Sequence, residues 1–366
     1  MILEIVRRSP NIMRSAVAPW TNLTQPSVHR IIDTLLDAQW LTLGDPVIHG
    51  RGKPSPSLKL NADARYAIGV SVNTDSIAFG ICDFSCKIVY EEMLEMPPTH
   101  RRDTLFALKE RLRALLASHG IAHQKIAGMG FSMAGFFVGP DRRFNSPELL
   151  RDWSLVDLRR ELETMFDLPI WTENNGTTGA IGESAVGVGR DYATFGYLSF
   201  NYGFGGGIVL DGKPFFGAFG NAGELSRVYT LQEEASRPAL GELLKRLETG
   251  GISIANIREL RQRFDPFWPP VAEWVKEVSP ALNRAIDMLR AVIDPEAIVF
   301  GGELPRALGE LLLAVPPSPS FPRYGVEAPY PHRMLSAIEA DPAILGAALI
   351  PLMDRYFAWS LPRSGL

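Results

Sequence analysis

Seven polar or basic side chains near the start of the chain are of the types that recognise nucleic acid. Thr24, Gln25, Ser27, His29 and Arg30 crowd one segment, while Arg51 and Lys53 sit in His49-Gly50-Arg51-Gly52-Lys53-Pro54. Gln and Arg make bidentate contacts to adenine and guanine edges respectively. Arg30 is equally suited to a phosphate, and His29 to a plain solvent-facing role. A glycine-flanked arginine followed by Lys-Pro forms a narrow, extended cationic tip. Such a tip can enter a minor groove, whose negative potential attracts Arg; standing alone it is a solvated hairpin loop.

The elements that must position these residues are legible in the apolar spacing. Val28, Ile31, Ile32, Leu35 and Leu36 form one helical stripe over Thr24 to Trp40 and turn Arg30 outward. Thr24 can cap this helix, and Pro26 is tolerable in its first turn. Ser15 to Trp20 predicts a short preceding helix, and Ile2, Leu3, Ile5 and Val6 another. Three helices with a tight turn before the third make a helix-turn-helix, with Gln25 at the end where base edges are read. Leu41 and Leu43, then Leu58 and Leu60, predict a hairpin around the cationic tip, which in that position reads as a wing.

The whole chain of 366 residues carries a net charge of −4, but unevenly. Residues 1–60 hold seven basic and four acidic side chains, and the remaining 30 basic and 37 acidic groups leave the body at −7. A mildly basic head on an acidic body fits a DNA-binding module attached to a larger sensor. No apolar run is long enough to span a membrane. The start lacks an export signal, and Cys82 and Cys86 are the only cysteines, so the expectation is a reduced, cytoplasmic protein without disulfides.

From Tyr66 the texture becomes alternating strand and helix, an α/β pattern. Ala67–Val72, Ser76–Cys82 and Lys87–Leu94 predict strands, Thr104–His119 a helix and Ile126–Met133 another strand. Tyr197–Phe216 holds two strand-like runs, one after the glycine-rich turn 203–207, separated by the hairpin signal Asp211-Gly212. Val271–Ile293 predicts a helix and Ala297–Phe300 a strand.

The string Asn201-Tyr202-Gly203-Phe204-Gly205-Gly206-Gly207-Ile208-Val209-Leu210-Asp211-Gly212-Lys213, continuing to Gly217-Ala218-Phe219-Gly220-Asn221-Ala222-Gly223-Glu224, resembles the signature of the ROK family of repressors, open reading frames and sugar kinases. Gly130–Gly135, Glu173-Asn174-Asn175, Asp294–Gly302 and Leu345–Ala348 add to it, and the head resembles the repressor branch. The resemblance implies an actin-like two-lobed sugar-kinase fold preceded by an N-terminal winged helix-turn-helix. The implied divisions are 1–65 for the head, 66–175 for the first lobe with 345–366 packing back on it, and 176–344 for the second lobe. It also implies a sugar site between the lobes, at Asn174, Asn175 and Glu224, continuing toward Asn145 and Ser146.

Departures from the family's kinases decide the expected function. The family's Asp and Gly-Gly-Thr phosphate turn is matched here by Ser71, Asn73, Thr74 and Asp75. Its catalytic base is the Asp of Asn-Asp, where this chain has Asn174-Asn175. A carboxamide cannot accept the sugar hydroxyl's proton, a contribution worth roughly 10²–10⁴ in rate. The family's zinc-binding His is matched by Arg227, and no cysteine follows Cys86, so neither metal nor cofactor is expected. Arg227 can pair with Glu224 or recruit an acidic ligand. The expectation is a bacterial, non-enzymatic DNA-binding regulator, probing a double-stranded operator as a homodimer or dimer of dimers and answering to a sugar or sugar derivative. The alternatives are a sugar kinase and a ligand-blind regulator with a vestigial pocket.

Overall fold

The computed structural model describes residues 1–47, 55–319, 322–338 and 341–358. Helix α1 (Ile2–Arg8), the short strand β1 (Ile12–Met13), helix α2 (Gln25–Asp37) and strands β2 (Leu41–Val47) and β3 (Ser55–Leu60) make up the head. The strands pair in the order β1-β3-β2, with Leu41 opposite Leu60 and Leu43 opposite Leu58. Ile5, Val6, Val17, Val28, Ile32, Leu41 and Leu58 share one small core.

Parts of the head differ from the sequence reading. Ser15–Trp20 forms two single 3-10 turns, Arg14–Ala16 and Ala18–Trp20, rather than a helix; Pro19 and the brevity of the segment leave no room for an α-helical ladder. Helix α2 stops at Asp37, not Trp40, because Gln39 takes a left-handed backbone (φ 58°) and the Trp40 N–H turns back to the Leu35 carbonyl. Ile31 is left at the surface, so the buried stripe runs through Val28 and Ile32.

The first large sheet holds β4 (Tyr66–Val72), β5 (Ile77–Asp83), β6 (Ile88–Met93), β7 (Ile126–Met133) and, beyond the hairpin of β8 (Phe136–Val138) and β9 (Arg143–Asn145), β10 (Ile170–Asn174). Its order is β10-β7-β4-β5-β6. Helix α3 (Arg101–Ser118) buries Leu105, Leu108, Leu112 and Leu115 in its core, beside which α4 (Leu158–Phe166) places Leu158 and Leu162. Helix α5 (Asn175–Val186) follows β10 directly.

The second sheet holds β11 (Phe195–Phe200), β12 (Phe204–Leu210), β13 (Lys213–Pro214), β14 (Ala297–Gly302) and β15 (His332–Leu335), in the order β13-β12-β11-β14-β15. Its core draws on α6 (Leu240–Thr249), α7 (Ile257–Arg263), α8 (Pro269–Ile293) and α9 (Arg306–Leu313). The last helix, α10 (Pro342–Arg355), is buried from Pro342 to Met353 and packs on α5, β4 and β7. The glycine run is mostly strand: only Gly203 lies in the turn, and a side chain on Gly207 would stand 2.6 Å from the Gly176 carbonyl of α5. Asp211 and Gly212 both have positive φ, the backbone of the expected two-residue hairpin turn.

Candidate functional site

In the head, α2 gathers Thr24, Gln25, Ser27, His29 and Arg30 at its N-terminal end; all but the half-buried Ser27 are exposed. The Thr24 hydroxyl bonds to the Ser27 hydroxyl (3.0 Å) instead of capping the helix. Gln25 Nε2 donates to the Ser15 carbonyl (2.9 Å), tying the helix start to the preceding turn. Arg14, which the sequence reading passed over, braces the same helix through Asp33 (2.6 Å) and the His29 carbonyl (3.2 Å). Arg51 and Lys53 lie outside the described residues.

Asn174 and Asn175, two of the expected sugar-site residues, lie where β10 passes into α5. Asn174 Oδ1 accepts the Gly176 N–H (2.7 Å), capping α5, and its Nδ2 donates to the Gly135 carbonyl. Asn175 is buried, and its Nδ2 donates to both the Val72 carbonyl (3.1 Å) and Asn73 Oδ1 (2.6 Å). Its Oδ1 accepts from the Ser132 hydroxyl, which also meets Thr178 (2.7 Å). A carboxamide suits this knot because it donates twice and accepts at once. The sequence reading put Asn175 on a ligand; here both of its donors are committed to protein acceptors.

Around the expected phosphate turn, Asn73 Nδ2 donates to Glu303 (3.1 Å) and Asp75 accepts the Ile257 N–H at the start of α7 (3.0 Å). Glu303 is buried, and burial, reinforced by Asp341 and Asp75, pushes its carboxyl well above the ordinary range. Buried Asp341 is raised for the same first reason.

Beyond β12, Glu224 accepts from the Ser226 hydroxyl, and burial raises its carboxyl. Arg227 does not form the pair with Glu224 that the sequence allowed; its guanidinium lies 4.3 Å over the Phe136 ring of β8. Asn221 straps the same strand, accepting the Phe137 N–H (2.8 Å) and donating to the Phe137 carbonyl (2.9 Å). Asn145 is exposed and pairs with Phe136 across the hairpin, and the buried Ser146 hydroxyl finds no partner among the described residues. The segment matching the family's zinc loop is held by Tyr229 donating to the Ala281 carbonyl (2.7 Å) and by Glu233 paired with Arg284 (2.6 Å).

Glu173, quoted in the motif but not singled out, accepts the Asn174 N–H (2.9 Å) and an N–H of Arg142 (3.1 Å). Burial pushes its carboxyl up to about 7. It borders a cavity of about 410 Å³ lined by Arg142, Arg143, Trp171 and Phe216 among others. Among the described residues no helix is long and apolar enough to cross a membrane.

Residues 67–318 match the ROK family. Over 376 aligned residues the chain is 26% identical to the uncharacterized protein y4fQ of Sinorhizobium fredii, covering 100% of this chain and 93% of that one. It is 23% identical to the xylose repressor of Caldicellulosiruptor bescii, covering 86% and 84% of the two chains. Among solved structures it is similar to a ROK family transcriptional regulator homologous to the Escherichia coli Mlc protein (TM-score 0.64, 18% identity, 96% and 95% covered). It is also similar to a ROK glucokinase from Streptomyces griseus (TM-score 0.58, 19% identity, 77% and 98% covered). At these identities the solved structures establish the fold, a mixed α/β sugar-kinase-like architecture.

Proposed function

The chain belongs to the ROK family, and on that premise we propose that it is a sugar-responsive transcriptional repressor without kinase activity. In this reading residues 1–65 are a winged helix-turn-helix: α2 enters the major groove, and Arg51 and Lys53, which lie outside the described residues, serve as the cationic wing tip. The observation that carries the loss of catalysis is Asn175, whose amide sits where the family's base stands and donates to Val72 and Asn73. A carboxamide there supports the reading because it cannot accept the sugar hydroxyl's proton, as does the bonding of Asn73 and Asp75 within the protein. The similarity to xylose repressors supports the regulatory side. Asn174, Asn175, Glu224, Arg227, Asn145 and Ser146 are the proposed sugar-proximal groups, and the protein acts in the cytoplasm as a homodimer or dimer of dimers on half-sites about 10 bp, or a multiple, apart.

The test combines selection of DNA from a random pool with ATP turnover on xylose, glucose and N-acetylmannosamine. Selective DNA binding without sugar-dependent turnover is expected; turnover abolished by Asn175→Ala overturns the reading. A ligand-blind regulator is the second reading, favoured by the committed donors of Asn174 and Asn175. Thermal shifts with the same sugars separate the two, because a ligand stabilises the state it binds.

A further inference from the structure

We propose that Arg7 positions the DNA-binding head according to the state of the cleft, with α5 as the rigid lever between them. This deepens the regulator reading and rests on it. One end of α5 is the cleft: Asn174 caps it and Asn175 ties it to β4 and β7. The other end meets the head. There the Ala185 carbonyl, one of the last four that lack a partner inside the helix, accepts a hydrogen bond from Arg7 Nη1 (2.8 Å). A cation at that end also favours the helix dipole. Twelve residues at 1.5 Å each put the two ends about 18 Å apart.

Little along α5 can absorb a displacement. A side chain on Gly346 of α10 would stand 1.7 Å from the Thr178 carbonyl, and one on Gly176 would stand 2.3 Å from the Gly206 carbonyl of β12. Backbone therefore touches backbone on two sides, without flexible side chains between. Such contacts shift as units rather than deforming gradually.

Arg7 is equally constrained. Its Nε and Nη2 both bond to Glu4 (2.8 Å each), Glu4 is fully buried, and Arg8 adds a further bond to the same carboxylate (2.6 Å). Arg7 also bonds to Cys86, and beside it the head meets the body through ring contacts, Trp40 lying 5.2 Å from Phe84 and 5.1 Å from Tyr356. Apolar faces can slide; the Arg7–Ala185 bond cannot without breaking. Because Trp40 closes the end of α2 through the Leu35 carbonyl, a shift of α1 and its aromatic seat re-aims the helix proposed to read DNA. Both sites then bias one two-state element, the physical requirement for coupling.

The experiment uses the full chain with two readouts. The first is amide hydrogen exchange in residues 2–8 with and without Asn174→Ala, which loosens α5 at the cleft end. Exchange in α1 should accelerate severalfold in the parent chain but show no added response to Asn174→Ala in an Arg7→Met background. The second is the change in affinity for DNA selected by the parent protein on adding xylose. That change, expected within roughly 5–150-fold, should survive Arg7→Lys and fall to about twofold or less in Arg7→Met, with xylose affinity unchanged. Should Arg7→Met fold poorly, the double variant Glu4→Gln/Arg7→Met removes both buried charges together. An exchange response or a xylose effect undiminished in Arg7→Met overturns the lever. If xylose leaves DNA affinity unchanged in the parent protein, xylose sensing fails, and the exchange readout still decides whether Arg7 reports on α5.

Discussion

The two sides of the expected sugar site are held in opposite ways. On the first-sheet side, Asn73, Ser132 and Asn175 form a buried knot in which each side chain is answered by another. On the second-sheet side, Glu224 is half-buried, Arg227 is exposed, and the wall is held across the gap by Asn221 and a ring contact. A buried network is costly to interrupt, since every lost partner leaves a desolvated group behind. A strap built on a short loop can open at a smaller cost. The first side is therefore the costlier to interrupt and the second the cheaper.

The sharpest way to break this contrast is Asn175→Asp, which puts a carboxyl where the resemblance implies the kinases' base. The carboxyl group loses two donors, leaving Asn73 Oδ1 without its amide partner and the Val72 carbonyl with only the Ala134 N–H. A loss of about 3–5 kcal/mol is expected from denaturant melts, with no ATP turnover gained. A stable, active variant would show that the knot is not what suppresses catalysis.

Glu173 gives the next effect, and its sign follows from its raised pKa. The folded chain holds this proton more tightly than the unfolded chain, whose carboxyl titrates near 4.5. Relative to Glu173→Gln, the parent protein therefore loses stability as pH rises from 4.5 to about 7 and is level above that. The full difference is about 3 kcal/mol, read from melts at pH 4.5, 6 and 8. A pH-independent difference would mean that Arg142 holds the carboxylate charged throughout.

These residues also mark how far the sequence could be read. Strands β4, β5, β7 and β14 and helices α3 and α8 were legible because apolar periodicity over six or more residues is set by one core. The turns at 14–20 were not, because two 3-10 turns and an α-helix of that length share the same composition. Asn174, Asn175 and Glu224 were found through a motif, but a motif carries no partners. That Asn175 spends its amide on Val72 and Asn73 depends on three strands and a helix meeting, which no local pattern encodes. Glu173 and Asn221 stood inside quoted strings and were missed for the same reason.

Asn221→Ala tests the second side directly. It removes both bonds to Phe137, at a cost of about 1–2 kcal/mol because this loop is only partly buried. Hydrogen exchange at residues 136–138 should rise, while exchange at 66–83 stays level. Equal loosening of both regions would mean the two sides are not independent.

Arg227→Ala should have the smallest effect on stability and the most to say about the ligand. Its guanidinium is exposed and rests on Phe136, a contact worth about 0.5–1 kcal/mol at such a site. Its charge also lowers the Glu224 carboxyl against the stronger effect of burial, so its loss moves that pKa further up. A neutral sugar accepting or donating to Glu224 should tolerate the change within a few-fold. An acidic sugar or sugar phosphate that draws Arg227 away from the ring would lose a charge-assisted contact, roughly tenfold or more in affinity. Calorimetric titration of xylose and of a sugar acid into both forms decides between them. If Arg227→Ala alters neither, the arginine only weights the strap, and specificity resides on the first side.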